Sequence, residues 1–296
     1  MTSTVEVILA ALYLRGAPRP ADPPRRGWPE IVAALRRESP DLGQAAEALR
    51  RMGATQPAML LETKGLLAWA ERAVEENAVL TVLSDGYPRR WLEAFGDIAP
   101  PALWQSGTLP ESRWIGAVGS REATPEALAY MEGLGAKAAE LGLCIVSGGA
   151  LGCDSAAEKA TLEKGAPVLR LLPHGLLLRP DEDAIQVSLA APNEPFSRPL
   201  AMERNALIYG AAELTVVGQA QMRKGGTWHG ATDALRRRLG RIVVRPDDSP
   251  AMRGLIALGA GRLTSPEDLG FALAATPTQK ALFAYESRRR RAYRGA

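Results

Sequence analysis

From residue 78 onward, short apolar and β-branched runs alternate with segments of helical periodicity, and this alternation restricts the fold more than any other feature. Candidate strands lie at Val79–Leu83, Trp114–Val118, Leu143–Ser147, Pro167–Leu172, Leu214–Val217 and Ile242–Val244. Helical segments fall near 124–141, 154–164, 200–211, 229–239 and 251–258. The strand candidates are continuously apolar, the pattern of strands covered on both faces. The reading is an α/β domain with a doubly wound, mostly parallel sheet, its ligand site at the carboxyl ends of the strands. Residues 1–76 read as a small helical N-terminal domain: an apolar run from Val5 to Tyr13, a proline-rich connector to Pro29, then helical patterns at about 30–38, 41–52 and 65–76. The α/β domain is expected to run from 77 to 275, and a basic tail from 276 to 296.

The turns that follow the strands carry the chemistry. Val118 is followed by Gly119-Ser120-Arg121, and Val146 by Ser147-Gly148-Gly149-Ala150-Leu151-Gly152-Cys153-Asp154. Val217 is followed by Gly218-Gln219, then by Arg223-Lys224-Gly225-Gly226-Thr227. Glycines let a polyanion approach the backbone, and helix N-termini add N–H donors and a favourable dipole. Three such turns at one sheet end predict a phosphate-bearing ligand. Neither named phosphate motif is present: no Gly-x-x-x-x-Gly-Lys-Ser/Thr occurs, and Ala150 interrupts a Gly-x-Gly-x-x-Gly. Nucleoside-triphosphate hydrolysis and dinucleotide redox chemistry lose ground accordingly.

No catalytic set assembles. His174 has no nucleophile partner, and Cys153 has no adjacent base. Asp154 and Glu158 share a helix face, where Asp154 is expected to steady the glycine turn. Cys144 and Cys153 form no Cys-x-x-Cys pair, and two histidines cannot supply a zinc set, so no metal and no cofactor is expected. The hydrophobic content of 46% with 23% charged residues is ordinary for a globular chain. There is no signal pattern and no apolar run of membrane-spanning length, which places the protein in the cytoplasm without a membrane contact. A net charge of +3 does not argue for nucleic acid by itself, although the Ser287–Arg294 run would add sequence-independent affinity for a polyanion.

Five fragments, in order over roughly residues 78–270, resemble the DNA-processing protein A (DprA, also called Smf) family. They are Asp85-Gly86-Tyr87-Pro88 with Asp97-Ile98-Ala99-Pro100-Pro101-Ala102-Leu103, Val118–Arg121, Ser147–Ala157, Glu194-Pro195-Phe196 with Glu203–Ile208, and Leu255–Ala260. The resemblance implies an extended Rossmann-like domain that binds single-stranded DNA, assists a RecA-type recombinase in transformation or recombination, and works as a homodimer rather than as an enzyme. It implies a phosphate pocket lined by Gly119, Ser120, Arg121, Ser147, Gly148, Gly149, Arg204 and Asn205, with Lys224, Gly225, Gly226 and Thr227 as the next glycine loop.

The chain departs from the family pattern at several positions. Leu151 and Ala206 stand where the family has arginines, Glu158 where it has histidine, and no winged-helix segment follows residue 270. Two fewer cations and one more anion imply weaker polyanion binding. Two other readings remain open. One is binding or hydrolysis of a nucleotide-derived small molecule, after the related "Lonely guy" phosphoribohydrolases, which Gly225-Gly226-Thr227 partly echoes and for which Asp233 is the nearest carboxylate. The other is a scaffold acting through protein contacts.

Overall fold

A computed structural model describes residues 3–23 and 26–275; the basic tail lies outside the described residues. The expected strands at 114–118 and 214–217 form as β3 (Trp114–Val118) and β7 (Leu214–Val217). Three others form within a residue or two, as β4 (Cys144–Ser147), β5 (Val168–Leu172) and β8 (Arg241–Val244), while β1 is limited to Val79–Thr81. The sequence reading missed β2 (Ala102–Ser106), β6 (Ile185–Ser188) and the two-residue β9 (Gly261–Arg262). Gln105, Gln186 and Ser188 interrupt the apolar runs of β2 and β6, yet all three are buried in the sheet.

Among the described residues the nine strands make one sheet in the order β1-β2-β6-β5-β4-β3-β7-β8-β9. All pairings from β6 to β9 are parallel, while β1–β2 and β2–β6 are antiparallel. Side chains alternate between two covered faces, as strand geometry requires. Ile115 and Ala117 pack with helices α7 (Pro125–Glu140) and α8 (Cys153–Glu163). Trp114 and Val118 pack on the other face with α6 (Arg89–Phe95), α9 (Arg198–Ala211), α10 (Gly225–Arg237) and α11 (Pro250–Ala257). A last short helix, α12 (Leu269–Ala274), adds Leu269 to the α7 side.

Local signals explain the helix starts. Thr124 caps α7 by accepting from Ala127 N at 3.3 Å, and Pro125 fits the first helical position, where an N–H would go unpaired. Ser197 caps α9 from Leu200 N at 3.3 Å. Helix α10 begins four residues before its expected start; Gly225 and Gly226, poor helix formers, occupy its first turn and hide that start from sequence propensity.

Among the described residues five helices precede the sheet: α1 (Thr4–Tyr13), α2 (Trp28–Glu38), α3 (Ala45–Arg51), α4 (Thr55–Leu61) and α5 (Leu66–Glu75). The helix expected over 41–52 divides into a 3-10 turn and α3, and α4 was not foreseen because Pro57 lies in its first turn, a position that tolerates it. These helices do not stand apart from the sheet. Their core continues into Val79, Ala102 and Trp104, and the Trp104 indole donates to Arg15 O at 3.0 Å.

Candidate functional site

The chain lays β4, β5 and β6 on one side of β3, then returns to lay β7, β8 and β9 on the other. Successive loops therefore leave in opposite directions at the β3–β7 boundary, and a crevice opens at their carboxyl ends. A cleft of about 680 Å³ lies there. One wall is built from the turn after β3, the loop after β7 and the start of α10; the other is the N-terminal half of α9 and the residues just before it.

Gly119, Ser120 and Arg121 line the first wall. Two hydrogen bonds tie their turn to the β7 loop: Ser120 N donates to Gln219 O at 2.9 Å, and Thr124 N to Gln219 Oε1 at 2.8 Å. A β-carbon at position 119 would fall onto the Cys153 side chain, so only glycine lets α8 start this close to the turn. Arg121 is exposed and makes no ion pair among the described residues. Lys224, Gly225, Gly226 and Thr227 line the same wall at the start of α10, whose first turn receives no side-chain cap. Thr227 Oγ1 donates to Gly119 O at 2.7 Å, joining the two phosphate-type turns.

Arg204 and Asn205 enter from α9. Arg204 is buried, 8% exposed, and its Nη1 donates to Leu171 O at 2.8 Å while its Nε is buried without a partner. Burial pulls its pKa down, the neighbouring Asp154 carboxyl opposes that, and Arg121 adds to it. Arg121 and Arg204 are thus close enough to repel, which an anion between them would relieve.

Ser147, Gly148 and Gly149 do not line the cleft, contrary to the sequence expectation, because their polar groups are used beneath it. Gly148 N donates to Asp154 Oδ2 at 3.1 Å and Gly119 N to Asp154 Oδ1 at 3.0 Å, so one carboxyl clamps the β3 and β4 turns together. Burial pushes Asp154 up to about 7. Gly149 N donates to Ser147 Oγ at 3.2 Å, and that hydroxyl donates to Glu158. A side chain at position 148 would collide with the Arg204 guanidinium, so this glycine makes room for the arginine.

Glu158 is a second correction. It is buried, accepts from Arg170 Nε at 2.7 Å, and Arg170 in turn pairs with Asp181. Its carboxylate is paired inside the protein rather than exposed in the cleft, although its field still reaches Asp154 and Arg204. Ala206 is a third. It lines a separate hollow on the other face of α9 with Glu203 and Leu207, so the absence of an arginine there removes no cation from the cleft wall. Only Leu151, 77% exposed in the glycine turn, stands as an exposed replacement of a cation beside the cleft.

Sequence reasoning missed Arg198, Met202, Tyr209, Gln221 and His229 as lining residues, and it quoted Phe196 without giving it a role. The spacing of 198, 202, 205 and 209 along one face of a helix starting at Arg198 was the available signal. The cleft holds the cations Arg121, Arg198, Arg204 and Lys224 against the carboxyls of Glu122 and Asp154. Asp233 pairs with Arg236 and Arg237 and lies off the cleft, and His174 also lies off it. Burial pushes both thiols, Cys144 and Cys153, up to about 12, so neither is a ready nucleophile. Among the described residues no group of three or more His, Cys, Asp or Glu could hold a metal, and no helix is long and apolar enough to cross a membrane.

The chain is 31% identical over 192 residues to a DNA processing protein DprA of Mycobacterium tuberculosis, a match covering 58% of this chain and 49% of the relative. The chain thus spans about half the length of the curated relatives it matches. The structure of DNA processing protein A from Streptococcus pneumoniae superposes with a TM-score of 0.66 at 21% identity, covering 91% of this chain and 97% of that one. The Helicobacter pylori DNA processing protein A, whose structure was described for its single-stranded DNA binding mode, gives 0.56 at 21% identity over 66% of this chain and 95% of that one. The two likenesses show a shared fold. A profile of the DNA recombination-mediator protein A family matches residues 78–273, the whole sheet from its first strand onward, and the chain belongs to that family.

Proposed function

We propose that the protein binds single-stranded DNA in the β3–β7 cleft and acts as a recombination mediator without chemistry of its own. The observation that carries this reading is the convergence of Arg121, Arg204, Lys224 and the uncapped start of α10 on one cleft. Cations and backbone donors of this kind hold phosphates without reading bases. Family membership and the Helicobacter pylori relative support the choice of DNA over another polyanion. A RecA-type recombinase and a second copy of the chain, as partners, rest on the family resemblance.

The test is anisotropy of a fluorescent oligonucleotide titrated at several salt concentrations. Arg121→Ala is the informative variant, because Arg121 is exposed and its loss leaves the core intact. Affinity should fall about tenfold, as for a charge-assisted contact. Equal affinities of wild type and variant would refute the reading.

A further inference from the structure

A carboxyl beside an anion site opposes the anion unless it is protonated or counterbalanced. Asp154 is such a group: it lines the β3–β7 cleft with 5% of its surface exposed. Both of its oxygens are taken by main-chain N–H groups. Oδ1 accepts from Gly119 N at 3.0 Å in the turn after β3, and Oδ2 accepts from Gly148 N at 3.1 Å in the turn after β4. Arg204 is therefore not bonded to it. Its Nη1 donates instead to Leu171 O at 2.8 Å, and its buried Nε has no partner. The guanidinium lies in the field of Asp154 and of Arg121, and it lines the same cleft.

The elements packed around Asp154 bring further charged or titratable groups. On α8 these are Glu158, paired with Arg170, and Cys153; on α9 they are Arg204 and Tyr209; from the β3 turn Arg121 acts on Arg204. Burial pushes the Cys153 thiol up to about 12 and the Tyr209 hydroxyl well up, so neither changes charge near neutral pH. Asp154 does. Burial raises it to about 7, with Arg204 and the two N–H donors opposing and Glu158 assisting.

We infer that Asp154 is a positioning residue that couples the cleft to protons: it clamps the two turns around Arg204, and an anion bound at Arg121 and Arg204 draws a proton onto it. The inference rests on the phosphate reading of the cleft and adds a proton to the binding equilibrium. A phosphate at the two arginines shares Arg204 with Asp154 and brings a like charge towards it. A like charge raises a carboxyl's pKa, so the protein with ligand keeps this proton to a higher pH than the protein without. Binding therefore takes up protons, and affinity falls as pH rises through about 7. The clamp serves both states, because a carbonyl oxygen and a hydroxyl oxygen each accept a hydrogen bond.

The experiment uses the full chain and a fluorescent thymidine oligonucleotide. Anisotropy at constant ionic strength from about pH 6 to about 8.5 gives the affinity, and calorimetric titration in two buffers of different ionisation enthalpy counts the protons. If the bound strand raises the Asp154 pKa by about one, wild-type affinity should fall about sevenfold over that range, and binding near pH 7.5 should take up about half a proton. Asp154→Asn should bind more weakly, because an amide accepts from only one of the two turns, and should lose both the fall and the uptake. His229 is the other cleft residue of a type that changes charge near neutral pH, and His229→Gln should keep both, whatever its affinity. No uptake by wild type, uptake lost in His229→Gln, or uptake undiminished in Asp154→Asn overturns the inference alone. If Asp154→Asn does not fold, the wild-type and His229→Gln titrations still decide it. No binding of the strand at any pH overturns the phosphate reading, and this inference with it.

Discussion

At the scale of single residues, the cleft depends on one buried pair. Asp154 clamps the Gly119 and Gly148 turns, and Arg204 lies close enough for each to shift the other's pKa. Burial outweighs Arg204 and the two N–H donors, so the Asp154 carboxyl stays protonated to about 7. The folded protein therefore keeps a proton that the unfolded chain releases near pH 4, and this contribution to stability is lost as pH rises from about 4 to about 7. Melting temperatures measured across that range should fall more steeply with pH for wild type than for Asp154→Asn, whose side chain does not titrate. Parallel curves would remove Asp154 as the source. Arg121 makes a different prediction, since it lines the cleft from an exposed position. Arg121→Ala should lower the slope of log affinity against log salt by about 0.7, the value for one phosphate contact on a single strand. Gly119, Ser120 and Arg121 could be read from the sequence because consecutive residues at a strand end show what they offer. Ser147 and Gly148 could not, since their donors are consumed by Asp154 and Glu158, six and eleven residues away.

At the scale of elements, two features hold the walls. The α9 wall starts at the Ser197 cap, and Ser197→Ala should cost about 1 kcal/mol, measured by urea unfolding. Beneath the glycine turn, Ser147, Glu158, Arg170 and Asp181 form a continuous polar chain from β4 through α8 and β5. Arg170→Ala leaves the buried Glu158 unpaired and should destabilise by about 3 kcal/mol. A double change to Glu158→Gln and Arg170→Met should recover most of that loss, because breaking the pair, rather than lacking it, carries the penalty. The boundaries of β3, β7 and α9 were legible to within two residues, since long apolar runs and caps are local signals. The start of α10 was not, because its first-turn glycines oppose helix by propensity and are held there by Thr227 on Gly119.

At the scale of the whole molecule, the helices before residue 76 and the sheet share a core. The Trp104 ring meets Trp69 edge-on at 5.7 Å, and its indole bonds Arg15 O in the chain following α1. Trp104→Ala should cost about 3–5 kcal/mol and should lower the melting of the entire chain, monitored by far-ultraviolet circular dichroism. A separate early transition confined to the helices would show that the two parts fold independently.

The order of motifs and the spacing of apolar runs determined the α/β class, the parallel centre of the sheet and the sheet end at which the cleft opens. These follow from local periodicity and from the rule that parallel strands direct their loops to one edge. Tertiary structure alone decided which charges reach the cleft. Glu158 is buried against Arg170 instead of standing in the cleft, and Ala206 faces the other side of α9. Arg198 and Phe196, which no phosphate motif marks, arrive at the lip through the placement of one capped helix. Charge in a sequence is a count, whereas charge at a site depends on which partner lies within a few ångströms, and folding sets those distances.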